Sequence, residues 1–286
     1  MNHFTRPTTH SALMRANISR IERTVRQKMP KSNFRIGTAF TEQAKRAYLL
    51  NPKLDTLHAN WESVGRGRRS SACRLEWVRL VIFLVAYILP VLRREKGRLF
   101  HAVIADKRWQ VGPEDLSPDV FNRPRRKLRH ALSLLRGSGQ LTYVAVYELS
   151  AARNLDGSYV FEPHIHVLIL TKGAIEDDLK RAFTVRQRKS ERGKSKPVRV
   201  ERVPRSEVGN VLGYLSKMKP QERVQYEDRN GRCNRTTNRM SADYLPLWLS
   251  CMSQTPVTQL IQFGGFAGSM THRFATCEMA TMIGEL

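Results

Sequence analysis

The sequence predicts an α+β fold, an antiparallel sheet with helices on one face and an N-terminal helical extension. Three observations predict it. Short runs alternate apolar and polar residues at period two. Between them lie segments with helical spacing of their apolar residues. Their order is β-α-β-β-α-β followed by a further helix, the split βαβ or ferredoxin-like arrangement. An apolar fraction of 41% over 286 residues supplies the core.

Residues 1–70 read as helical and basic, ending in GRGRRSS, Gly65 to Ser71. Within the N-terminal region, 1–97, an apolar helix is expected over 77–92. Its centre, LVIFLVAYILPVL (Leu80 to Leu92), has 13 residues and a proline, short of the roughly 20 a membrane span needs. It is therefore expected to be a buried core helix, with no stable membrane insertion. RLFHAVIAD (Arg98 to Asp106) alternates as a strand. A helix follows from Ser117-Pro118 through Leu128, Leu132 and Leu135 to a stop at Gly137. LTYVAVYEL (Leu141 to Leu149) and Tyr159 to Leu170 are strands around the turn NLDG, Asn154 to Gly157. AIEDDLKRAF (Ala174 to Phe183) is a short helix, PVRVERV (Pro197 to Val203) a strand, and SEVGNVLGYLSKM (Ser206 to Met218) a helix opened by a capping box at Ser206. The core so defined spans 98–244. The sequence assigns no role to the extension 245–286.

Charge gives the strongest global signal. With 49 Lys and Arg against 25 Asp and Glu, the net charge is +24 and the pI about 10.6, a field that attracts polyanions, nucleic acid above all. Cys73, Cys233, Cys251 and Cys277 form no CxxC pair, which argues against a structural zinc site and for a reducing cytoplasm. The N-terminus has no continuous apolar run after its charges and does not read as a secretory signal.

FEPHIHVLIL, Phe161 to Leu170, places His164 and His166 on one face of an apolar strand. Buried imidazoles need partners. If the hairpin turns at Asp156, Glu148 of the preceding strand stands opposite His164 and points to the same side. Two imidazoles and a carboxylate then converge as three ligands for a divalent metal with open positions. Phosphoryl-transfer chemistry favours Mg²⁺ or Mn²⁺, and zinc stays open. A metal beside a basic groove suggests attack on a phosphodiester. The candidate nucleophile is Tyr214 in GYLSKM, with Lys217 at i+3 supplying positive charge. His101, in the first strand, reads as a hydrogen-bonded core residue rather than an extra ligand.

EPHIHVLIL resembles the His-hydrophobe-His motif of the HUH endonucleases, and GYLSK resembles their Tyr-x-x-Lys motif, in the same order. The likeness covers roughly 98–220 and is most similar to rolling-circle replication initiators of bacterial plasmids and filamentous, inovirus-type phages. It implies His164, His166 and Glu148 as metal ligands, Tyr214 as nucleophile and Lys217 as its helper. The implied activity is nicking of single-stranded or hairpin origin DNA, leaving a 5′-phosphotyrosine and a free 3′ hydroxyl for rolling-circle replication. No helicase module follows, so a host helicase and polymerase are the implied partners. The third histidine usual in relaxases and the second tyrosine of some initiators are absent. A transposase or mobilisation relaxase with the same core stays open, as does a non-catalytic nucleic-acid-binding sheet.

For DNA contacts the sequence offers VRQRKSERGKSKPVR, Val185 to Arg199. Arg186, Arg188, Lys189, Arg192, Lys194, Lys196 and Arg199 face only Glu191 there, a composition suited to neutralising phosphates. GKS at Gly193 lacks the earlier glycine of a phosphate-binding loop, since Arg188 stands in its place. RPRRKLRH (Arg123 to His130) and NRTTNR (Asn234 to Arg239) are weaker phosphate-contact candidates.

Overall fold

Long runs of β-branched and aromatic residues, apolar on both faces, make the centre of the sheet. Leu141–Arg153 (β2) and Tyr159–Thr171 (β3) pair antiparallel over their full 13 residues each. The turn between them is closed by Gly157 at φ 81, a left-handed conformation that glycine adopts without strain, and by Asp156 Oδ1 accepting from the Ser158 amide at 2.9 Å. The register places Glu148 opposite His164, as the turn at Asp156 required. The computed structural model describes residues 16–32, 34–50, 70–135, 137, 139–184, 197–217 and 219–286.

Arg98–Ala105 (β1) pairs antiparallel with β3, and Val198–Arg202 (β4) antiparallel with β1. Asn122–Leu135 (α4) connects β1 to β2, and Glu176–Phe183 (α5) connects β3 to β4. The α+β class therefore holds, but the sheet is larger than expected. Gln221–Glu227 (β5) joins β2 in parallel, and Cys233–Arg239 (β6) completes a hairpin with β5. Ile261–Gly264 (β7) pairs with the other end of the same β2 edge. Among the described residues the sheet has seven strands in the order β4-β1-β3-β2-β5-β6, with β7 beside β2.

Helices lie on both faces, not one. Val208–Leu215 (α6) covers the histidine face, where the Tyr214 ring meets His101 and His166. The long apolar helix Arg74–Arg94 (α3) covers the same face through Phe83, 5.6 Å from Phe263 of β7. On the opposite face α4 packs with Arg125 over the ring of Tyr147, a neighbour of Glu148 in β2 whose side chain points the other way. The physical reason is the composition of β2 and β3: both sides are apolar, so both must be covered.

α3 runs beyond its expected bounds and has 21 residues, most of them buried. Leu84–Ile88 forms a wide π turn just before Pro90, which accommodates a ring that would crowd the carbonyl one turn earlier. Arg79, fully buried, donates to the carbonyls of Phe274 and Cys277 and pairs with Glu76 at 3.4 Å. The C-terminal extension is thereby fastened to α3. Leu245–Ser253 (α7) is tied to the sheet by the Trp248 indole, which donates to the Leu149 carbonyl at 2.9 Å. Phe83 stacks against Tyr87, Phe263 and Phe274 at centroid separations of 5.1 to 5.6 Å. Phe83→Ala is expected to destabilise the fold by about 3–5 kcal/mol, through lost burial and the cavity left behind, read as a lower thermal midpoint.

The expected capping box at Ser206 does not form. Ser206 lies in a 3₁₀ turn, Arg205–Glu207, and Glu207 occupies the cap of α6 without a side-chain cap bond. Its carboxylate instead accepts from Asn210 Nδ2 at 2.8 Å.

Candidate metal centre and tyrosine

β2 and β3 are hydrogen-bonded neighbours, and their pleat aims Glu148, His164 and His166 at one point. One donor atom from each lies within 4.8 Å of the others. Glu148 Oε2 is 3.3 Å from His164 Nε2 and 3.1 Å from His166 Nε2, with both imidazoles almost wholly buried. Burial alone would raise the Glu148 carboxyl. Imidazole N–H donors or imidazolium charge at His164 and His166 outweigh it and hold the group well below the usual carboxylate range; where the neutral rings turn lone pairs to it instead, a bound cation would take over that role.

The other ring nitrogens decide what the cluster can hold. His164 Nδ1 is 3.1 Å from the Glu162 carbonyl oxygen, which can only accept. Nδ1 therefore carries the proton, and in the neutral ring the Nε2 lone pair faces the Glu148 carboxylate. Two acceptors facing each other at that distance ask for a cation between them. His166 Nδ1 is 3.3 Å from His101 Nε2. Its buried Nε2 lies close to Glu148 but is not aligned for a hydrogen bond, so it is left without a hydrogen-bond partner. An orphaned ring nitrogen beside a carboxylate fits a metal ligand better than a structural histidine. The three groups fit a divalent cation on this evidence. The donor set names no single metal, since imidazole suits later transition metals and carboxylate suits Mg²⁺ and Mn²⁺.

His101 is within hydrogen-bond distance of His166 and lies outside the three-donor cluster. On the same face of β1, it stacks on His166 with centroids 5.5 Å apart. Burial, with the neighbouring His166 and Arg199 charges, pushes its pKa down to about 4. An unfolded histidine titrates near 6.5. Between these values the unfolded chain binds the proton that the folded one refuses, so stability falls as pH drops from about 6.5 towards 4. With a chelator present, thermal midpoints from pH 7 to pH 4.5 should fall more steeply in the wild type than in His101→Gln. Equal slopes would remove His101 from the titration.

Tyr214 and Lys217 come to the cluster from α6. The Tyr214 ring is T-shaped against His166, with centroids 5.2 Å apart, and 6.1 Å from His101. The side chain is half-exposed, so the phenol is open to a partner. Lys217 lies past the helix end, not on the helix. A turn with its amide on the Tyr214 carbonyl, at 3.3 Å, still brings Nζ within 3.8 Å of the ring centroid. Burial and the Glu148 charge raise the Tyr214 pKa, while burial lowers that of Lys217.

Of the expected DNA contacts, Arg186, Arg188, Lys189, Arg192, Lys194 and Lys196 lie outside the described residues. Arg199 is exposed on β4, where it pairs with Glu201. Sequence reasoning missed Arg223, which sits on β5, 3.6 Å from Glu162, and whose positive charge favours Tyr214 ionisation. Its signal was the alternating run ERVQYE, masked by a high charge content.

Comparison of the chain with family models, curated proteins and solved structures finds no match.

Proposed function

We propose that this chain is a metal-dependent, tyrosine-type single-strand DNA endonuclease of the HUH kind, acting as a rolling-circle replication initiator. The observation that carries the reading is the Tyr214 ring packed on His166, one ligand of a three-donor cluster that fits a divalent cation. The order β4-β1-β3-β2, with helical β1-β2 and β3-β4 crossovers, supports the proposed likeness to a split βαβ sheet.

In the reaction, Tyr214 Oη forms a bond to the scissile phosphorus and the bond from phosphorus to the 3′ oxygen breaks. The phenolic proton ends on the departing 3′ hydroxyl, and the 5′ phosphate stays on tyrosine. A divalent cation held by Glu148, His164 and His166 would polarise the phosphate oxygens and offset the Glu148 charge that disfavours phenolate. Lys217 adds positive charge over the ring as the phenolate develops, and Arg199 and Arg223 act in the same direction. Burial of the imidazoles keeps water from competing for their nitrogens. A non-catalytic sheet reader is disfavoured, because among the described residues helices cover the histidine face, where such a reader would need open aromatics for stacking.

The test is incubation of 5′- and 3′-labelled single-stranded or hairpin DNA with the protein and Mn²⁺, followed by a denaturing gel. A covalent adduct carrying the 5′-phosphate side, absent with chelator, supports the reading. Cleavage without adduct would point to water as nucleophile and overturn it. Origin DNA as the preferred substrate distinguishes an initiator from a transposase or relaxase.

A further inference from the structure

Tyr147 and Glu148 are neighbours in β2 and point to opposite faces of the sheet, so what lies beyond Tyr147 stands behind the metal centre. There a cavity of about 730 Å³ opens between α4 and the C-terminal extension. Asn122, Arg125, Arg126 and Arg129 line one side, and Gln259 and Gln262 the other, with Tyr147 among the lining residues. Among the described residues no carboxylate lines it. Asp119, on the turn before α4, accepts from Asn122 Nδ2 at 2.8 Å.

The three guanidiniums differ in a way that describes a site. Arg125 is half-buried and fixed. It donates to the Gln259 carbonyl at 3.1 and 3.3 Å and to Asn122 Oδ1 at 3.2 Å, and its guanidinium lies over Tyr147 and Phe121. Among the described residues its hydrogen-bond acceptors are all neutral, and burial lowers its pKa. Arg126 and Arg129 are exposed and, among the described residues, have neither a hydrogen-bond nor an ion-pair partner. Their spacing along α4 keeps all three within reach of one ligand. One preorganised guanidinium, two uncommitted ones and a rim of amides form the donor set that contacts phosphate and sugar.

We propose that this cavity binds the phosphodiester backbone of a nucleic acid, as a contact separate from the metal centre. The net charge of +24 argues for a polyanion over a small anion. Because the cavity and the cluster lie on opposite faces of β2, the segment bound here is not the segment presented to Tyr214. The inference does not need the nicking reaction, since binding is measured without metal.

The experiment is fluorescence anisotropy of a labelled hairpin DNA, with chelator, over a series of salt concentrations. Arg126→Gln with Arg129→Gln should weaken binding about ten-fold or more and reduce the salt slope by about 2, one unit for each phosphate no longer neutralised. Arg20→Gln with Arg23→Gln removes the same charge from the exposed side of Ile18–Lys28 (α1) and should change affinity less than about two-fold. Arg126→Lys with Arg129→Lys should keep most of the binding, which separates charge loss from misfolding. Equal weakening by the two glutamine pairs would overturn the proposal, because net charge alone would then explain it. So would calorimetric binding of ATP that the pocket pair abolishes while hairpin affinity stays unchanged, which would make the cavity a site for a free nucleotide. Loss of adduct formation in Tyr214→Phe with this binding intact would leave the inference standing.

Discussion

Tyr214→Phe is expected to abolish the covalent protein–DNA adduct, with cleavage falling by a factor on the order of 10³ or more, while fold, metal binding and DNA affinity stay close to wild type. The substitution removes one oxygen. The ring keeps its place against His166, so packing changes little, but no ester to phosphorus can form. Lys217→Ala should have a smaller effect, roughly 10- to 100-fold, because it removes charge over the ring and leaves the nucleophile. Tyr226 and Tyr244 are the alternative phenols. Tyr226 is exposed on β5, and Tyr244 is stacked on Tyr159 with centroids 3.5 Å apart. An adduct persisting in Tyr214→Phe, mapped to either of them by peptide mass, would sink the assignment.

The heart of the site was legible because it depends on local rules. Strand parity puts His164 and His166 on one face, and a tight turn at Asp156 fixes which residue of β2 faces them. Tyr214 was legible by spacing, although the helix under it ends before Lys217. What failed depends on pairings distant in sequence. β7 has only four residues, IQFG, and is a strand because it pairs with Tyr143 to Val146, over a hundred positions earlier. β5 and β6 are polar at most positions, so their alternation hardly registers. α3 is buried all round over Arg74–Phe83, Arg74, Glu76 and Arg79 included, and its apolar run announces burial but not its partners. The two-sided apolar runs of β2 and β3 report that a second face is covered, but not that this helix covers it.

The second large effect is on the metal. Glu148→Gln with His164→Ala should reduce Mn²⁺ affinity by more than about 100-fold, measured by calorimetry, and abolish cleavage while leaving salt-sensitive DNA binding nearly intact. A ligand that binds only the folded chain stabilises it by about 2.7 kcal/mol at a hundred times its Kd. Wild-type protein should therefore gain a raised thermal midpoint with Mn²⁺, and the double variant none. The gain should shrink as pH falls, because protons compete for the same ring nitrogens. His101→Gln should keep the cluster but weaken Mn²⁺ by about 10- to 100-fold, since His101 holds the His166 ring from behind. Metal binding turns on one proton. His164 Nδ1 faces a backbone carbonyl that can only accept, so the neutral ring turns its lone pair towards Glu148. If wild-type protein takes up no divalent ion, His164 must instead be doubly protonated and paired with the carboxylate. Imidazole proton resonances would show that second proton directly, and the metal-dependent mechanism would fall with it.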